Sequence, residues 1–280
     1  MKDDPFKPTL GGPRMAKRRL LTGLACVAAI GIAQADDRTL PLHIQSSGTN
    51  HSIMGEIDAT VPEPFARTAA ALKEPRHWCD ILLLHLDTKD CLVTHGEKGT
   101  VLRVGVVTHY DQPPSSAYRA DFEYTLAQDN PDFLRARLDA DDGPLDTKDY
   151  RIVVEARPAD GGGTAIHLSY SYSFGLLSRV ALQAYMLTFG RNKVGFTVTG
   201  TQSDGTPKYI GGMRGIVERN TMRYYVAVAA YLAALSAPPE ARIERALHNW
   251  YVGIERYPRQ LHEMEEPDYL AMKRREFGQR

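Results

Sequence analysis

The chain has 280 residues, enough for one large domain or two small ones, since a single core serves roughly 100–200 residues. Its 34 Lys and Arg balance 34 Asp and Glu, and 43% of residues are apolar. That balance excludes a strongly basic nucleic-acid binder, an acidic disordered chain and a collagen-like repeat. Three cysteines are too few for a disulfide-dense mini-protein.

Lys17, Arg18 and Arg19 precede an apolar run from Leu20 to Ile32, and Ala33-Gln34-Ala35 then leads into the acidic pair Asp36-Asp37. This is the order of a secretory signal peptide: a positive end, a short apolar stretch and small residues before the cleavage point. The run is 13 residues long, whereas a membrane anchor, the alternative, needs about 20. A signal peptide is therefore expected over 1–35, with cleavage after Ala35 and a periplasmic or secreted product. Residues 1–14 carry no targeting logic, so the start is Met1 or Met15. Removal of 1–35 takes six basic and two acidic residues, leaving 28 basic and 32 acidic. Cys79 and Cys91 then remain in an oxidising compartment, where a disulfide is expected. The alternative is a metal held with His77 and His95, but zinc sites show two close ligand pairs and this spacing fits them only loosely. No metal and no cofactor are expected.

In chain order, residues 36–51 form an N-terminal segment and 52–60 read as a first strand. The strand stops at Val61-Pro62-Glu63-Pro64, where prolines suit the first turn of a helix. Phe65, Thr68, Ala69 and Leu72 recur at helical spacing, giving one or two short helices between 63 and 80. From Ile81 the period changes to two for about ninety residues. Ala120, Phe122, Tyr124 and Leu126 share one face of a strand. So do Tyr150, Ile152, Val154 and Ala156, and, in a third strand, Ile166, Leu168, Tyr170, Tyr172 and Phe174. Such half-buried strands are typical of an antiparallel sheet. Asp160-Gly161-Gly162-Gly163 reads as a hairpin turn.

Gly175 to Phe189 breaks the alternation. Its apolar residues Leu176, Leu177, Val180, Leu182, Tyr185, Met186 and Leu187 suit a lid, a membrane-docking surface or a core helix. One last strand is expected near 193–199 or 206–210. After Gly211-Gly212 comes a long helix with the stripe Met213, Ile216, Asn220, Tyr224, Val228, Tyr231 and Leu235, flanked by Arg214, Glu218, Arg219 and Arg223. A further helix carries Ile243, Leu247, Trp250, Ile254 and Tyr257 on one face. The basic run Lys273-Arg274-Arg275 reads as a solvated tail.

A strand, one or two helices, about six antiparallel strands and a long helix form the element order of the START-like, or SRPBCC, helix-grip superfamily. The chain resembles it over residues 52–235. The carrying residues are Gly55 to Ala59, Pro64-Phe65, Trp78-Cys79-Asp80-Ile81, the Tyr150 to Phe174 hairpin and the passage from Gly211-Gly212 into the helix. The resemblance implies an α+β helix-grip fold, with a curved sheet around the long helix and an apolar cavity between them. Residues 236–280 would be a helical extension. It also implies that Phe122, Tyr124, Tyr150, Tyr170, Tyr172, Phe174, Asn220, Tyr224, Val228 and Tyr231 line the cavity, where a few hydroxyls and one amide orient a hydrophobic ligand. A filled core is the alternative.

A fold of this kind does not choose a function. The expected function is an exported carrier of a lipid or other hydrophobic small molecule, with transient membrane contact and no nucleic-acid partner. The alternatives are an enzyme of polyketide cyclase or hydratase type, and an envelope protein-interaction module. No nucleophile elbow or phosphate loop is present in the sequence, and no catalytic residue is assigned.

Overall fold

Alternation of apolar and polar side chains builds one antiparallel sheet of eight strands. In a computed structural model, residues 42–96, 99–176, 178, 180, 184 and 193–279 are described. The expected signal peptide, and most of the apolar stretch 175–189, lie outside the described residues. The strands are β1 (His43–Gly48), β2 (Ser52–Val61), β3 (Thr88–Gly96), β4 (Gly99–Val106), β5 (Tyr118–Asn130), β6 (Phe133–Asp142), β7 (Thr147–Pro158) and β8 (Thr164–Phe174). Their order across the sheet is β1-β2-β8-β7-β6-β5-β4-β3. In β8 every second residue from Thr164 to Phe174 is buried, the signature of a sheet with one covered face. Register shifts in β3, β5 and β7 bend the strands locally.

Two helices, α1 (Phe65–Leu72) and α2 (Pro75–Leu83), carry the chain from β2 to β3 at the far edge of the sheet. Helix α2 opens on a proline, and the Glu74 side chain accepts the Arg76 N–H at 3.3 Å. The expected alternation from Ile81 is corrected here: the helix runs to Leu83 and strand pairing starts only at Thr88. A short apolar run such as Ile81–Leu84 suits a buried helix as well as a strand. Cys79 of α2 and Cys91 of β3 form a disulfide, with Cα atoms 5.3 Å apart. Closing a loop of this size stabilises the fold by about 3 kcal/mol in the chain-entropy view.

The long helix α3 (Gly212–Ala234) lies against β1, β2 and β8. It approaches β2 so closely at Gly55 that a Cβ there would collide with Thr221 Oγ1 and crowd the Val217 carbonyl. Of its flanking charges Arg214 is exposed, whereas Glu218, Arg219 and Arg223 are buried. Arg219 and Arg223 are buried where α4 (Arg242–Glu255) and α5 (Pro258–Leu261) pack on α3, and Glu218 where Ser46 of β1 and residues 196–197 close over it. Helix α6 (Glu266–Phe277) packs on α4, α2 and β3. This curved antiparallel sheet gripping a long helix is an α+β fold.

Both stretches proposed for a last strand are extended, but they pair with each other. β9 (Val198–Thr201) and β10 (Pro207–Tyr209) make a separate two-stranded sheet. The basic run expected to be solvated lies on a helix, where Arg274 and Arg275 are exposed but Lys273 is buried together with Tyr269 and Glu276. Residues 39–280 form one compact unit, so 236–280 packs as part of it. No helix among the described residues is long and apolar enough to cross a membrane.

Candidate ligand cavity

Inward-facing positions of β4, β5, β7 and β8 meet α3 around a cavity of about 170 Å³. Its apolar wall is made by Leu82 and Leu86, Val104 and Val106 of β4, and Ala120 and Phe122 of β5. The aromatic wall continues from Phe122 through Tyr150 of β7 to Tyr170 and Tyr172 of β8, then to Tyr224 of α3. Tyr150 stacks on Tyr172 with centroids 5.3 Å apart, and Tyr170 meets Tyr224 at 5.1 Å. Burial raises the pKa of Tyr150 to about 12, and raises those of Tyr170, Tyr172 and Tyr224. These phenols therefore stay neutral near neutral pH and serve as hydrogen-bond donors and acceptors. The Tyr150 ring lies over Gly143, where any Cβ would strike it. Its hydroxyl shares a 2.7 Å hydrogen bond with Thr147 Oγ1. Thr108 and Leu145 are the lining residues exposed at the mouth.

One part of the wall is polar, and its chemistry is unlike the rest. His85 is buried with its ring against Tyr224, centroids 5.1 Å apart. Burial, then the charges of Arg223 and Lys273, hold its pKa well below the usual imidazole value, so the ring is neutral at pH 7. Its Nδ1 accepts the Asp87 N–H at 3.2 Å, which assigns the ring's single proton to Nε2. That Nε2 is buried and has no hydrogen-bond partner among the described residues. Arg223 Nε is buried and unpartnered in the same way.

Glu263 gathers the cations of this wall. Lys193 Nζ donates to its two carboxylate oxygens at 2.7 and 2.6 Å, Arg219 Nη2 to Oε1 at 2.5 Å, and Arg223 Nη2 to Oε1 at 2.6 Å. Desolvation alone would raise the Glu263 pKa, but Arg223, Lys193 and Arg219 hold it down at about 2. Burial raises the pKa of Asp87, the other acid on the wall. Behind this layer Lys273 Nζ donates to the carbonyls of His85 at 2.5 Å and Thr88 at 2.9 Å, and to Glu276 at 2.7 Å. Burial brings the Lys273 pKa down to about 8.

Of the residues expected to line a cavity, Phe122, Tyr150, Tyr170, Tyr172, Asn220 and Tyr224 come together on its wall. The other four lie elsewhere. Tyr124 turns its hydroxyl to the carbonyls at the end of α1, donating at 3.1 Å toward Leu72 and 3.0 Å toward Lys73. Phe174 sits at the end of β8 beside Tyr172. Val228 and Tyr231 lie one and two turns beyond Tyr224 and are sealed into the core, with Tyr231 against His77. His77 Nδ1 bonds the Ala71 carbonyl at 2.9 Å and His95 Nδ1 the Thr100 hydroxyl at 3.1 Å. With the two sulfurs joined, the alternative four-ligand set is not assembled. Sequence reasoning missed His85, Arg219, Arg223, Lys193 and Glu263 as wall residues. The one signal available was the position of Arg219 and Arg223 beside Asn220 and Tyr224 on α3.

Neither a protein-family model nor a curated protein matches the chain. Among solved structures it is similar to Ara h 8.0201, with 14% identity over 69% of this chain and 99% of that one and a TM-score of 0.36. It is also similar to norcoclaurine synthase from Thalictrum flavum, with 15% identity over 62% of this chain and 88% of that one and a TM-score of 0.33. A third likeness is to the lipid transfer and protein localization domain of human StarD13 (DLC2), at 10% identity over 51% and 81%, TM-score 0.33. The fold described above rests on the chain's own strand order and on the helix its sheet holds.

Proposed function

We propose that the chain is an exported binding protein that holds a hydrophobic small molecule or lipid between the sheet and α3 and leaves it chemically unchanged. The observation that carries this reading is the cavity itself: aliphatic and aromatic along most of its wall, with a few convergent polar groups in one region. The Cys79–Cys91 disulfide fits an oxidising compartment, and the basic-apolar-small pattern over 15–35 supplies a route to it. The mature protein is expected to begin at Asp36, which the mass of the exported product checks.

Ala120 lies on the wall and is buried, so Ala120→Phe places a ring in the space a ligand would use. Native mass spectrometry of the protein purified from the cell envelope should show a bound hydrophobe. Delipidated protein should take up the neutral fluorophore 1-aminoanthracene, and the filled variant should take up at least ten times less. Absence of a bound hydrophobe together with absence of uptake would overturn the reading. So would equal uptake by a folded Ala120→Phe protein.

A further inference from the structure

We propose that the cavity's ligand is a compact hydrophobic acid whose carboxylate is received by His85 Nε2 and Arg223 Nε. This rests on the binding reading above and names the ligand class for the same cavity. Both atoms belong to residues of the wall, both are buried, and both lack a hydrogen-bond partner among the described residues. Both are donors. Arg223 Nε carries a proton in every accessible state, and His85 Nδ1 is already occupied as an acceptor for the Asp87 N–H. A guest that met these two groups with a donor of its own would leave all of them unsatisfied, whereas a carboxylate brings two acceptor oxygens.

The charge balance points the same way. Lys193, Arg219 and Arg223 converge on the single carboxylate of Glu263. With Asp87 ionised the wall still holds one more positive than negative charge, and a single anionic head group completes it. An ammonium would add to the excess, and an alcohol would leave it in place. Size sets the rest of the molecule. A void of about 170 Å³ has room for on the order of a dozen waters, and so for roughly as many ligand heavy atoms. The head lies at the His85–Arg223 region and the carbon skeleton against Val104, Ala120 and Phe122.

Three probes with one tail separate the head groups: decanoate, decanol and decylamine, titrated calorimetrically into the delipidated full-length mature protein. Decanoate should bind at least tenfold more tightly than decanol, and decylamine more weakly than either. Arg223→Lys keeps the charge but removes the Nε–H, and should cost decanoate about tenfold while leaving decanol unchanged. His85→Phe keeps a ring against Tyr224 and removes the Nε2 donor. It should show the same split, and it carries the test if Arg223→Lys does not fold. Equal binding of acid and alcohol, or variants that weaken both alike, would overturn this inference and leave the cavity reading standing. Failure of all three probes to bind would instead remove the cavity reading, and this proposal with it.

Discussion

Glu218 and Arg219 are neighbours on α3, yet they belong to two polar regions built on opposite plans. Around Glu218 every group is matched. Its carboxylate accepts from Ser46 Oγ at 2.6 Å, Phe196 N at 2.6 Å, Thr197 N at 2.9 Å and Thr197 Oγ1 at 2.7 Å. Arg214 braces the same Ser46 through its hydroxyl and carbonyl. Around Arg219 and Arg223 the donors outnumber the acceptors, and two of them stay unmet. A buried donor without a partner costs about 1–3 kcal/mol, so a fold that keeps two at the wall of a cavity gives up stability there. The saturated region ties β1 and the 195–197 segment to the helix. The unsaturated one is where a ligand has something to gain.

Substitutions that treat the two carboxylates alike would break this contrast if they gave the same result. Glu263→Gln should have the largest effect, lowering stability in urea by about 3–5 kcal/mol, because it leaves Lys193, Arg219 and Arg223 buried around a neutral amide. A loss below about 1 kcal/mol would mean that the cations find other partners.

Acid unfolding sharpens the same point. The folded pKa of Glu263, about 2, lies below the ordinary glutamate value of 4.5. The stabilisation is thus complete above pH 4.5 and disappears as the pH falls toward 2, amounting to about 3 kcal/mol over that window. Unfolding free energies measured in steps through this range should show the loss in the parent protein and not in Glu263→Gln. Next in size, Glu218→Gln should cost about 2 kcal/mol and leave ligand affinity unchanged, since Glu218 does not line the cavity. Smallest is Tyr124→Phe, which removes a hydroxyl bonded to the end of α1 and should cost about 1 kcal/mol. Its affinity for 1-aminoanthracene should equal that of the parent. An altered affinity would place Tyr124 nearer the ligand than its hydrogen bonds indicate.

The contrast also explains what was legible in the residues and what was not. Period-two runs identify Phe122, Tyr150, Tyr170 and Tyr172 as inward-facing because alternation is local and needs no knowledge of the partner strand. Helical spacing does the same for Asn220 and Tyr224. Neither signal says how far the cavity extends along α3, so Tyr231 shares their stripe and ends in the filled core. Charged side chains carry the opposite ambiguity. Arg219 and Arg223 flank the stripe and Lys273 reads as part of a solvated tail. Only the packing of α4 and α5 on α3, and of α6 on α4, α2 and β3, buries them beside Glu263 and Glu276. β1 was unreadable for a related reason: His43–Gly48 is mostly exposed, so no apolar face marks it. Its pairing is fixed by β2, a neighbour only the folded chain supplies.

Helix α6 makes contacts far back along the chain, with Lys89–Glu276 and Lys273–Thr88 spanning 187 and 185 positions. Contacts of such separation form late, because the loops they close are long. During synthesis the sheet and its aromatic wall can assemble while the cationic side of the cavity still lacks Glu263, Lys273 and Glu276. A nascent chain halted before residue 263 would display Lys193, Arg219 and Arg223 in an open cleft without the carboxylate they converge on, and only the last stretch of translation turns that cleft into a receptacle.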